Sequence, residues 1–338
     1  MRKGIVVFLA GVALAAGLSA LLVAAQSAEA AFAGRNGKVV FTSDGDALPV
    51  GGDPGDREVF TMSSNGTGIK RLTNNSALEE TPAWSPNGRK IVYRSDQTSP
   101  SNPEGDSEIY VMNADGSGKT NVTDDNQSSD ITPSFSPDGR QIVFSSSRNS
   151  GPGVDNPDGG LEIFTIKLDG TGLRQLTFSA SPTSNNRNPA FSPNGEMIVF
   201  ESFRDDNEEI YVMEADGTDQ INLTDDPAAR DASPSWSPDG RKIAFDSDRT
   251  DPSNPGDDAE VYTMNADGLN PTRLTTNTAG DSEPAYAPDG RQIVFVSDRD
   301  GNAEIYRMRT DGSLQTLLTN NHLTNDWAPD WQPLKRRR

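Results

Sequence analysis

The stretch PSWSPDGRKIAFDSD, residues 234–248, decides the fold. Pro234 opens a strand, where its missing N–H costs least. Trp236 ends that strand. Ser237-Pro238-Asp239-Gly240 sets proline where a type I turn needs a fixed φ and glycine where the chain needs φ > 0. Ile243-Ala244-Phe245 is the returning strand. The same phrase recurs along the chain. Its aromatic is Trp84, Phe135, Phe191, Trp236, Tyr286 and Trp331, spaced 45 to 56 residues apart, with a proline two residues before each. A period of this length marks a repeat architecture.

Three further signals share the period. An apolar run ends in x-Ser at Ser43, Ser95, Ser146, Ser202, Ser247 and Ser297. Glu-Ile/Val-aromatic begins at Glu58, Glu108, Glu162, Glu209, Glu260 and Glu304, and an Asn/Asp-Gly turn follows each. A Leu/Val-Thr pair closes each unit, as in Leu72-Thr73 and Leu176-Thr177. Each unit therefore reads as four short strands: a (Pro-x-aromatic), b (Ile-Val-Phe type), c (Glu-Ile-Tyr-Val-Met type) and d (x-Leu-Thr). Strands b and c are continuous apolar runs, as expected of strands covered on both faces. The first unit begins at strand b with Gly37–Phe41, and the last phrase, Pro329–Pro333, is a strand a with nothing after it. The expected fold is all-β: a six-bladed β-propeller of four antiparallel strands per blade, spanning residues 34–333. Its ring is closed by the C-terminal strand pairing with the N-terminal strands, which leaves no open sheet edge.

WSPDGRKIAFDSD at 236 and EIYVMNADGSG at 108 resemble the TolB-like (WD40-like) propeller repeat, and the resemblance covers nearly the whole chain after residue 33. It implies a six-bladed propeller in an exported protein. The N-terminal α/β domain that accompanies the propeller in TolB is expected to be missing here.

The chain opens with Met1-Arg2-Lys3 and an apolar run from Gly4 to Ala25. Ala28-Glu29-Ala30 has the form of a cleavage site, so residues 1–30 read as a secretory signal peptide. Ala31-Phe32-Ala33 offers a second cut. No later stretch reaches the ~18 apolar residues of a membrane span. A periplasmic or secreted location is expected. There is no cysteine, so stability rests on packing and closure rather than disulfides. The formal net charge is −20, which makes nucleic acid and anionic lipid poor partners. Residues 334–338 form a short basic tail.

Topology puts the short a–b and c–d turns on one face and the longer b–c and d–a loops on the other, where binding is expected. Three residues before each strand-a proline stand Glu79, Asp130, Asn186, Asp231, Asp281 and Asp326, with Arg187 beside Asn186. If strand a is innermost, these ring one mouth of the central channel. They then either select a cationic ligand, a metal or a basic peptide, or cap the start of each strand. The b–c loops are rich in hard oxygen donors, among them Asp248, Asp251, Asp257 and Asp258, so calcium is the metal to consider. The sixfold Glu of strand c and Ser of strand b read as structural. The single histidine, His322, and the absence of cysteine exclude a His-rich metal site and a Cys nucleophile, and no Gly-x-Ser-x-Gly elbow occurs. The function expected is a non-enzymatic, monomeric, cofactor-free scaffold for a protein or peptide partner. The alternative is a carbohydrate- or calcium-binding propeller with hydrolase or lyase activity.

Overall fold

The computed structural model describes residues 33–45, 56–98, 102–103, 105–124, 128–179, 184–250, 258–321 and 324–335. The signal-peptide segment, Asp251, Asp257, His322 and Arg336–Arg338 lie outside them.

The described residues form 24 strands in six four-stranded antiparallel sheets. Blade 2 shows the plan: strand a is Glu79–Trp84, b is Lys90–Ser95, c is Glu108–Asn113 and d is Thr120–Asn121. Blades 3 to 6 repeat it with strands a at Asp130–Phe135, Asn186–Phe191, Asp231–Trp236 and Asp281–Tyr286. Blade 1 joins the two ends of the chain. Its strands b, c and d are Arg35–Ser43, Glu58–Met62 and Lys70–Arg71, and its strand a is the C-terminal Asp326–Leu334. Pairing there runs from Ser43 opposite Asp326 to Arg35 opposite Leu334. Leu334 therefore belongs to the propeller rather than to the tail.

Strands b and c are buried on both faces because blades stack side by side. Trp84 of blade 2 packs with Val40, Val59 and Leu72 of blade 1. Inside each blade the aromatics of b and c face one another, with ring centroids 5.7–6.0 Å apart. Such pairs add about 0.5–1.5 kcal/mol each beyond area burial. The Asp-Gly and Leu-Thr signals explain each other. At Gly116, φ is 93°, and a Cβ would lie 2.8 Å from the carbonyl oxygen of Leu72 in the preceding blade. Only glycine lets the c–d hairpin close onto its neighbour there.

Strand a is not a plain strand. Its pairing with b slips between the second and fifth residues in blades 2 to 6. The residue before the proline has positive φ in all six blades: Thr81, Thr132, Asn188, Ser233, Glu283 and Ala328, between 49° and 53°. Proline cannot donate to the ladder, so the strand bulges at this point.

Candidate functional site

The first residue of every strand a is fixed by its backbone. Glu79, Asp130, Asn186, Asp231, Asp281 and Asp326 donate their N–H groups to the carbonyls of Arg57, Ser107, Leu161, Glu208, Ala259 and Ala303 in the preceding blade, at 2.7–2.8 Å. This ring of bonds lies on the b–c/d–a face. Register then sets each side chain opposite the strand-b serine, which itself faces the strand-c glutamate, as in Glu79, Ser95 and Glu108.

The six side chains do not project into the channel mouth. All are fully buried. In blades 3 to 6 an arginine outside the sixfold pattern holds the side chain inward. Arg148, Arg204, Arg249 and Arg299 each stand two residues after the strand-b serine. Each folds back, donates Nε–H to that serine at 2.7–2.8 Å, and lays its guanidinium over the aromatic pair of its own blade. Its Nη2 reaches Asp130 (2.5 Å), Asn186 (3.1 Å), Asp231 (2.8 Å) and Asp281 (2.9 Å). The sequence signal was the fourfold Ser-x-Arg. Blades 1 and 2 have Gly45 and Gln97 in its place. There, burial foremost pushes the Glu79 carboxyl up to about 8, with Glu58 beside it adding to the effect, and the Asp326 carboxyl up to about 7.

The strand-c glutamates and strand-b serines hold the blades together, as the repetition implied. Thr177 donates to Glu162 at 2.5 Å and accepts the N–H of Ile163 at 2.8 Å, and the same threonine acceptor recurs in the other blades. Asp248, one of the calcium candidates, accepts the N–H of Arg230 at 2.6 Å and so pins a d–a loop. Asp258 is described but contributes to no metal-sized cluster. Among the described residues no group of three or more His, Cys, Asp or Glu is arranged to hold a metal.

Three arginines stand exposed on this face, alongside b–c loop acids such as Asp206 and Asp300. Arg57, Arg187 and Arg230 have side chains 43%, 37% and 48% exposed. Their carboxylate partners lie beneath them: Glu80, Glu208 and Asp246, at 9%, 13% and 1%. Arg94 binds Glu80 from the side, and Arg57 also stacks 4.5 Å from the ring of Trp327. Arg187 is the one residue of the expected set that reaches the surface here.

Deeper in the wall, three carboxyls latch blade to blade through the bulges. Glu201 accepts the N–H of Ser233 at 2.5 Å, Asp246 that of Glu283 at 3.1 Å, and Glu283 that of Ala328 at 2.6 Å. Burial holds all three above the ordinary range, with neighbouring carboxylates adding to it at Glu201 and Glu283 and Arg230 opposing it at Asp246; Glu283 is pushed up to about 7. The opposite face carries a different feature. A cavity of about 150 Å³ is lined by Trp84, Phe191, Trp236, Tyr286 and Trp331 together with prolines of the a–b turns.

Comparison with known proteins agrees with this architecture. The sequence pattern of the TolB beta propeller domain matches residues 165–255 and 252–336. An uncharacterised protein of Agrobacterium fabrum is 27% identical over 174 residues, 48% of this chain and 52% of that protein. The Tol-Pal system protein TolB of Geobacter sulfurreducens is 39% identical over 61 residues, 18% of this chain and 13% of TolB. The chain thus matches about half, or less, of the length of these relatives. The crystal structure of TolB from Acinetobacter baumannii superposes with a TM-score of 0.70 at 22% identity, over 88% of this chain and 67% of that one. No helix among the described residues is long and apolar enough to cross a membrane. On the match over half its length, this chain belongs to the TolB β-propeller domain family.

Proposed function

We propose that the protein is an exported, non-catalytic interaction scaffold of the cell envelope or the extracellular space, and that it holds a protein partner on the b–c/d–a face. One observation carries this reading: three half-exposed arginines, Arg57, Arg187 and Arg230, stand around the channel on buried carboxylates. Buried partners hold the guanidinium groups in place before binding, which lowers the cost of ordering them. The marked acids face inward, so the partner that fits this rim brings carboxylates rather than basic groups. Electrostatic complementarity of this kind governs specificity and association rate.

The test is affinity capture from envelope and culture-fluid extracts. The baits are the native protein and an Arg57→Gln/Arg187→Gln/Arg230→Gln variant whose circular dichroism matches the native spectrum. A partner retained by the native bait, lost by the variant and eluted by moderate salt supports the reading. Equal retention on both baits removes the rim from the site.

A second reading rests on the carboxyl cluster. Glu283 is partly buried, is pushed up to about 7 by burial and neighbours Glu201 and Asp246, so a carboxyl suited to act as an acid stands beside two others. This favours the carbohydrate alternative, with hydrolase or lyase activity. Each carboxyl is already tied to a backbone N–H, which argues for a latch instead. Turnover of a polysaccharide panel, abolished by Glu283→Gln, would support the enzyme. A calcium titration of the native protein tests the metal-binding form.

A further inference from the structure

At the blade junctions a strand-c glutamate stands near the first side chain of the next strand a. Glu162 accepts from Asn186 at 2.8 Å, and in the same way Glu260 faces Asp281, Glu304 faces Asp326 and Glu58 faces Glu79. In blades 3 to 6 the Ser-x-Arg guanidinium binds the strand-a member. The two junctions of blade 1 have no such cation. Blade 2 reads Ser95-Asp96-Gln97 where blades 5 and 6 read Ser-Asp-Arg, and blade 1 reads Ser43-Asp44-Gly45. The b–c loops cannot supply one, because residues 44–56 and 96–107 contain no Lys or Arg.

The other groups around these pairs are few. Glu79 meets Asn75 at 2.6 Å and Ser95 at 3.2 Å, and Arg71 is bound to Glu58 rather than to Glu79. Asp326 meets Asn321 at 3.1 Å, Ser43 and Thr319, and Asp44 binds the adjacent Asn325. Two more carboxyls bridge the same junctions: Asp330 accepts the N–H of Trp84 at 2.7 Å, and Glu283 that of Ala328 at 2.6 Å. Arg57, Arg94 and Glu80 form their own triad across the first of these junctions. Blade 1 is also the blade closed without a covalent link, by the pairing of Asp326–Leu334 with Arg35–Ser43.

We propose that blade 1 is a proton-dependent clasp: each of its two junctions closes on a buried strand-a carboxyl, Glu79 or Asp326, that no Ser-x-Arg guanidinium reaches and that is held in its protonated form, and as pH rises the C-terminal strand releases before blade 4 loosens. Losing that proton puts a second negative charge beside Glu58 or Glu304 in a buried site, with no Ser-x-Arg guanidinium on Glu79 or Asp326. Like charges so placed resist joint ionisation. The raised titration of Glu79 and Asp326 is consistent with this arrangement.

Hydrogen exchange of the whole protein at pH 6 and pH 9, corrected for intrinsic rates, tests the clasp. Protection of 326–334 and 35–43 should fall about tenfold or more between the two pH values, while 197–202 and 209–214 in blade 4 keep theirs. In Gln97→Arg, which rebuilds the Ser-Asp-Arg of blades 5 and 6, the blade 1–blade 2 junction should keep its protection at pH 9. In Glu79→Gln/Asp326→Asn the terminal strands should lose the pH response. Equal loss in blades 1 and 4 would overturn the proposal. So would a Gln97→Arg protein whose 79–84 segment responds to pH as the native one does.

Discussion

Arg249 shows how one side chain settles a blade. Its guanidinium binds Ser247 and both oxygens of Asp231, and it lies over Phe245 and Tyr262. Planarity makes the contact, so lysine is no substitute. Arg249→Ala leaves Asp231 buried without its cation and should destabilise the protein by about 3–5 kcal/mol, measured by urea unfolding. Arg249→Ala combined with Asp231→Asn should recover part of that loss. Thr177→Val removes an acceptor from the N–H of Ile163 and a donor to Glu162, and should cost about 1–3 kcal/mol in the same assay. The sequence displayed all these residues at their proper spacing. It did not show which way the first strand-a side chain faces. That depends on an arginine folding back from a loop, and loop paths are not written in period-two patterning.

Strand a carries the other surprise of local structure. Proline two residues before the aromatic was legible as a strand opener, and the strand is where that signal put it. The bulge was not legible. It becomes visible only when the N–H of Ser233, Glu283 or Ala328 is seen to reach a carboxylate of the preceding blade. Strands b, c and d followed directly from their apolar runs and turn signals, because their burial on both faces leaves no competing register. These buried carboxyls also set the pH response. Glu79, Glu260, Glu283, Asp326 and Asp330 are raised to about 8, 7, 7, 7 and 6. An acid bound more tightly to its proton in the folded state contributes stability that is present below its unfolded value and is lost as pH rises through the folded one. The turn acids Asp115, Asp169, Asp216 and Asp311 are lowered by the Ser or Thr hydroxyl two residues on, so their contribution disappears as pH falls below the ordinary carboxylate range. Melting temperature should therefore peak at about pH 5 and decline toward pH 8. A melting temperature that climbs steadily to pH 8 would contradict this.

At the scale of the whole molecule, closure was readable from the two incomplete ends: a first unit without strand a and a last strand a without a unit. Removing residues 326–338 exposes the apolar face of Arg35–Ser43 and uncovers Trp84 and the edge of blade 2. Such a truncated chain should lose cooperative thermal unfolding or aggregate, as read by calorimetry and light scattering. The functional rim could not be read in the same way. Arg57, Arg187 and Arg230 come from a b–c loop, a strand a and a d–a loop of different blades. Only the closed ring brings them to one mouth, above Glu80, Glu208 and Asp246, acids to which the sixfold pattern had not pointed.

The most direct test of that rim is hydrogen exchange of the native protein with and without its captured partner. The account predicts added protection in the segments bearing Arg57, Arg187 and Arg230, at the ends of a b–c and a d–a loop and the start of a strand a. Protection confined to the a–b turns around the aromatic cavity, residues 84–89, 191–196, 236–241 and 286–291, would contradict it and place the partner on the opposite face.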